Sequence, residues 1–183
     1  MKDAELIDRI DALLPQTQCT RCGYAACRPY AEALAQGTAA INRCPPGGSA
    51  GIAALAALLH RAPLPLDPAC GHEQAPTRAI IDAATCIGCA RCLPACPVDA
   101  IIGARQFLHT VLDAECNGCE LCLAACPVDC IVMQPRAPDE SVPNAADNRR
   151  RYDNHRQREA RLLREREALL SSRKQAARPR SPQ

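Results

Sequence analysis

An α+β fold is predicted for this 183-residue chain: a small, mostly helical N-terminal domain, a duplicated unit of short strands and helices, and a basic, partly helical or disordered C-terminal tail. Three observations predict it. The segment 86–101 recurs at 116–131, four prolines crowd positions 61–76, and 14 cysteines accompany aromatic residues that make up only 2 % of the chain. So few large side chains leave little material for a core, and small units short of core volume rely on disulfides or metals as staples. Residues 1–14 are amphipathic and acidic, without the apolar stretch of a secretory leader. The thiols are therefore expected to be reduced metal ligands rather than disulfides.

Residues 4–14 place Leu6, Ile7, Ile10, Leu13 and Leu14 on one helical face, with Asp8, Arg9 and Asp11 largely opposite. Pro15 ends that helix. A cysteine-bearing loop follows over 16–27, then a short helix around 29–36. The turn cluster NRCPPGGSAG at 42–51 cannot continue a helix, and residues 51–60 form the next one. The Pro-rich stretch 61–77 is read as an extended linker. Strands are expected at 79–82 and 110–112, one in each copy of the repeat. The divisions are 1–60, 61–77, 78–135 and 136–183. Within the last, residues 149–170 are helix-permissive and the chain is expected to fray beyond them.

The repeat carries the strongest signal. CIGCARCLPACPVDAI (86–101) and CNGCELCLAACPVDCI (116–131) agree at 11 of 16 positions. Cys86, Cys89, Cys92 and Cys96-Pro97 have the spacing C-x2-C-x2-C-x3-C-P, repeated by Cys116, Cys119, Cys122 and Cys126-Pro127. This is the spacing of bacterial two-[4Fe–4S] ferredoxins, in which the fourth cysteine ligates the other cluster. Two intervening residues let a tight loop wrap a cubane, while the fourth thiol lies where the chain turns away. Cys86, Cys89, Cys92 and Cys126 are thus assigned to one cluster, and Cys116, Cys119, Cys122 and Cys96 to the other. Zinc sites also use C-x2-C pairs, but two tandem four-cysteine runs with trailing proline suit them poorly. The N-terminal set Cys19, Cys22, Cys27 and Cys44 has spacing C-x2-C-x4-C-x16-C. Spacing leaves an iron–sulfur cluster or an all-cysteine zinc ion open there.

The stretch LLPQTQCTRCGYAACRPYAEALAQGTAAINRCPPGG, followed by ATCIGCARCLPACPVDAI and HTVLDAECNGCELCLAACPVDCI, resembles the RnfB (RsxB) subunit of bacterial electron-transport complexes over about residues 4–135. The resemblance implies a third [4Fe–4S] cluster on Cys19, Cys22, Cys27 and Cys44, in a small domain also similar to one in corrinoid iron–sulfur proteins. It further implies a relay subunit in a complex coupling ferredoxin/NAD electron transfer to ion translocation. Its partners would be membrane subunits, and its place the cytoplasmic face of the inner membrane. Members of that family typically begin with a hydrophobic anchor helix, whereas this chain starts at the amphipathic helix. A free-standing soluble ferredoxin and a redox-sensing regulator are the alternative readings.

The remaining residues carry no recognisable Ser/His/Asp site, phosphate-binding glycine loop, or flavin or nicotinamide motif, so no catalysis by this chain alone and no bound NAD are expected. Residues 149–183 hold 12 Lys and Arg against 4 Asp and Glu, a net +8, whereas 1–148 hold 10 against 16, a net −6. With Tyr152 its only aromatic, the tail offers almost no base-stacking platform, and nucleic acid is not an expected partner. A solvated, partly helical docking tail is expected, with an anionic membrane surface or an acidic partner as the alternative. Cys130 is expected to pack beside a cluster and Cys70 to be a spectator. His60, His72, His109 and His155 are expected at the surface or in linkers. Asp99 and Asp129 are expected to cap the turns after the C-P-V segments by accepting backbone N–H bonds.

Overall fold

The computed structural model describes residues 2–176, and the end of the predicted frayed tail, 177–183, lies outside them. The architecture mixes helices with two small antiparallel sheets. Helix α1 (Lys2–Leu13), α2 (Cys27–Ala35) and α3 (Gly48–Leu59) pack around Ile10, Leu14, Tyr30, Leu34, Ile41, Ile52 and Leu55. The apolar stripe of α1 is as expected at Ile10 and Leu14, but Leu13 lies on its margin and is 39 % exposed. Asp11, expected opposite the stripe, is buried at 6 % exposure. At 100° per residue it flanks Ile7 and Leu14, and a cation from a distant helix covers it.

The Pro-rich stretch is not a free tether. Asn42 Nδ2 donates to Pro65 O at 2.6 Å, the Asp67 amide to Asn42 O at 2.9 Å, and the Ser49 amide to Glu73 Oε2 at 3.0 Å. A 3-10 turn at Pro68–Cys70, capped by the Asp67 carboxylate, buries Cys70. Proline keeps this segment extended, and the turn-rich loop it runs along supplies the hydrogen bonds.

The second core is built by the duplication. Strand β1 (Thr77–Ile81) pairs with β4 (Ile131–Pro135), and β2 (Ile101–Ile102) pairs with β3 (Thr110–Val111). Ile81 faces Ile131 across the first sheet and Val111 faces Ile101 across the second. Ile81 and Val111 are equivalent positions of the repeat, as are Ile101 and Ile131. The sheets are therefore equivalent, and β2 and β4 are strands the sequence reading did not name. Ile101-Ile102 is too short a run to show alternation on its own. It pairs because the duplicated chain path lays it beside β3 as it lays β4 beside β1. Helices α4 (Cys92–Ala95) and α5 (Leu121–Ala125) complete the unit, around Ala79, Val98, Ala100, Ile101 and Ile131.

Helix α6 (Ala145–Ala176) runs 32 residues. Its first turns are tied to both cores. Asn148 Nδ2 donates to Pro15 O at 3.3 Å, Arg149 pairs with Asp11, Arg151 with Glu115 at 2.5 Å, and Arg158 with Asp99. Its later leucines, Leu162, Leu163, Leu169 and Leu170, are exposed. Among the described residues, no helix is long and apolar enough to cross a membrane.

Candidate metal centres

The first cysteine loop is shaped by two glutamines. Gln16, Gln18 and Thr20 alternate into the left-handed region, with φ of 57°, 57° and 61°. Each such non-glycine residue costs of order 1–3 kcal/mol and persists only where its surroundings hold it. Here they do. Gln18 Nε2 donates to Gln16 Oε1 at 2.8 Å, and Gln18 Oε1 accepts the Cys27 amide at 2.8 Å. Both glutamines are 3 % exposed. The loop so wound brings Cys19, Cys22 and Cys27 around a small cavity of about 10 Å³, and Cys44 enters from the turn before α3. Tyr30 forms part of the wall, its hydroxyl donating to Ala40 O at 2.8 Å. Sequence reasoning missed Gln16 and Gln18. Their only signal is Q-T-Q between Pro15 and Cys19, which a solvated loop would show equally.

Two further cavities lie in the duplicated unit. Cys86, Cys89, Cys92 and Cys126 line one of about 10 Å³, and Cys96, Cys116, Cys119 and Cys122 line another of about 10 Å³. Gly88 and Gly118 begin the two loops with φ of 67° and 71°. A Cβ at Gly88 would stand 2.9 Å from Phe107 O, and one at Gly118 2.7 Å from Thr77 O. The chain leading into one cysteine loop passes over the glycine of the other, and a side chain there would collide with it. Ala100 N–H donates to Cys96 Sγ at 3.2 Å and Ala79 N–H to Cys116 Sγ at 3.4 Å. Cys130 is buried with its sulfur 3.4 Å from Cys126 Sγ, in the place expected.

The donor sets fit a polynuclear cluster. Four cysteines line each of three small cavities of similar size. A cluster held by thiolates on its irons requires that arrangement.

Burial sets the protonation of these thiols when metal is absent. Desolvation pushes Cys27 up to about 11 and Cys44, Cys119 and Cys122 each to about 12, from an ordinary 9.0. Cys86 is the contrast: a hydrogen bond with the His109 imidazole lowers it to about 7. Raised thiols favour the folded state only while they hold their protons, so that stability is present below pH ~9 and is lost as pH climbs towards ~12. The iron-free protein is expected to lose denaturant resistance across that window, and the iron-loaded protein, whose ligands are already deprotonated, to lose far less. Urea midpoints measured anaerobically at pH 7.5 and 10 check this.

Two expected surface histidines are buried instead. His109 is 4 % exposed with Nδ1 3.5 Å from Cys86 Sγ, and His155 is 4 % exposed with Nδ1 2.7 Å from Asp99 Oδ1. Asp99 does not cap its turn with backbone N–H groups. Its carboxylate accepts from Arg158 and His155 of α6, and although burial works against its charge these bonds hold it below the ordinary range. Helix α6 arrives from far downstream in the chain, so no local pattern announces the contact. A cleft of about 980 Å³ lies between α6 and Ile101-Ile102 and has no cysteine in its wall. Ile101 also lines the cavity of Cys96, Cys116, Cys119 and Cys122, and so separates the two.

A 4Fe-4S dicluster domain family matches residues 79–133, and an Fe-S cluster family matches residues 14–46. The chain therefore carries the pattern of [4Fe–4S]-binding domains. It is similar to proteins named as the B subunit of an ion-translocating oxidoreductase complex. That of Azoarcus sp. (strain BH72) is 59 % identical over 108 residues, 59 % of this chain and 59 % of the relative. That of Alkalilimnicola ehrlichii is 58 % identical over 111 residues, 60 % of each. That of Thiobacillus denitrificans is 59 % identical over 110 residues, 60 % of this chain and 58 % of the relative. The matched region thus spans about 60 % of the length of these relatives.

Proposed function

We propose that this chain, similar over its cysteine-bearing part to the B subunit of ion-translocating oxidoreductase complexes, relays single electrons through three [4Fe–4S] clusters. The observation that carries the proposal is three small cavities of near-equal size, each lined by four cysteines. Cys19, Cys22, Cys27 and Cys44 would hold one cluster, Cys96, Cys116, Cys119 and Cys122 a second, and Cys86, Cys89, Cys92 and Cys126 a third. When bound, such a cluster accepts or gives up one electron at a potential set by burial, charge and hydrogen bonds to sulfur. The protein's part is to hold the sites close, dry and at fixed separation.

The order of the sites follows from their walls. Thr17 lines the N-terminal cavity and Asn117 lines that of Cys96, Cys116, Cys119 and Cys122. Asn117 Nδ2 donates to Thr17 O at 3.2 Å, and Arg21 pairs with Glu120 at 2.6 Å beside it. The N-terminal site therefore adjoins the Cys96 site, and the Cys86 site stands at the far end. In this reading residues 1–60 and 78–135 are the cluster-bearing units, 61–77 a strap along the first, and 136–183 a basic segment for docking. The partners are other members of a membrane complex of the kind the relatives' names describe, at its cytoplasmic face. Catalysis belongs to those partners.

Iron and zinc analysis of the anaerobically reconstituted protein tests the reading. About 12 iron per chain is expected, four for each of three cubanes. About eight iron with one zinc would reduce the chain to a two-cluster ferredoxin.

A further inference from the structure

The duplication should make the two sites of the repeat alike, yet one pair of positions breaks the symmetry. Ala79 faces Met133 across the first sheet. The equivalent positions beside the second sheet are His109 and Gly103. In one half a small residue faces a thioether. In the other an imidazole faces glycine, and the exchange is one of fit: a Cβ at Gly103 would lie 2.3 Å from His109 Cδ2. Gly103 thus makes the room that the ring occupies. The ring is buried, with Nδ1 towards Cys86 Sγ at 3.5 Å and Nε2 without a partner. At the twin site only a backbone amide, that of Ala79, reaches Cys116 Sγ. A further difference lies in the same cavity, where Cys130 replaces Ala100 and brings its sulfur to 3.4 Å from Cys126 Sγ.

We propose that His109 is a positioning residue for electrons: it donates Nδ1–H to Cys86 Sγ and sets that site at a higher potential than its Cys96/Cys116/Cys119/Cys122 twin. The inference rests on the relay reading above. A thiolate that ligates iron has no proton to give, so Nδ1 must be the donor. A hydrogen bond to a ligand sulfur draws charge from it and favours the more negative, reduced state. One electron then passes from the twin site to the Cys86 site with no bond made or broken. Of the two sites of the repeat, the Cys86 site becomes the one where the electron rests.

Potentiometric titration of the iron-loaded protein, followed by EPR, tests this. In His109→Phe one of the three reduction waves is expected to move down by at least tenfold in electron partition, about 59 mV for one electron, with the other two unmoved. The wave that moves should be the one missing in Cys126→Ala. His109→Asn, which keeps an N–H near the position of Nδ1, should restore most of the shift. In wild-type protein carrying ring-15N histidine, pulsed EPR should find a weak nitrogen coupling to one reduced cluster, lost in His109→Asn. Unmoved waves, a common shift of all three, or no ring-nitrogen coupling would each overturn the assignment. Iron content of the same samples separates these outcomes from a failure of the three-cluster reading.

Discussion

Replacing Cys126 with alanine is expected to remove about four of some 12 iron atoms per chain, and the iron lost should be that held by Cys86, Cys89 and Cys92. Cys126 belongs to the second run by sequence but shares its cavity with the first three cysteines of the other run. The reciprocal holds for Cys96, which lies with Cys116, Cys119 and Cys122. Helices α4 and α5 cause the crossing. Each is a single short turn leading from the third cysteine of its run to the fourth, and the proline that follows redirects the chain. Non-additivity provides the check. Cys126→Ala with Cys89→Ala should lose no more iron than either alone, whereas Cys126→Ala with Cys119→Ala should lose about eight. The reverse pattern, about eight iron lost with Cys89→Ala and about four with Cys119→Ala, would mean that each run closes its own site.

Asp11→Ala is expected to release the start of α6 at a cost of about 3 kcal/mol, the usual range for removing one partner of a buried pair. The Asp11 carboxylate is buried against Arg149, with Arg28 at 3.9 Å and Gln16 Nε2 donating at 3.2 Å. Without it, Arg149 keeps only the Gln16 Oε1 contact at 3.1 Å, which joins it to the loop of the first cavity. A loss of about 3 kcal/mol is roughly a hundredfold in the open population. Limited trypsin cleavage at Arg149, Arg150 and Arg151 should quicken to match. Arg156→Ala is the control: its partner Glu159 is exposed with it, and such pairs contribute at most about 1 kcal/mol. Equal cleavage of both variants would mean that α6 is held by something other than Asp11.

The coupling of that pair to Gln16 gives the basic segment a structural role. Residues 145–158 reach the first cysteine loop through Asn148 and Arg149, and the turn after Cys96 through His155 and Arg158. A helix whose own i,i+3 and i,i+4 pairs would suggest only a solvated rod therefore braces two thiol sites. Its acidic partners Asp11, Asp99 and Glu115 lie on three different segments of the chain. The sequence reading saw the charge of each segment but had no means of joining them.

The sequence by itself determined which cysteines come together. Ligand spacing is a local property of the chain: with two residues between cysteines, the loop that carries three thiols to one cluster is short enough to read without knowing the rest. The same is true of the duplication, and hence of the equivalence of the two sheets, including the strands Ile101–Ile102 and Ile131–Pro135 that were not foreseen. Only the tertiary structure decided which polar side chains are buried. Asp11, Gln16, Gln18, His109 and His155 look like ordinary surface residues because each is covered, or held, by groups distant in sequence. A polar group enters a core only where a hydrogen-bonding partner meets it. For His109 that partner is the Cys86 thiol of the preceding loop, and for Asp11 an arginine beyond both sites.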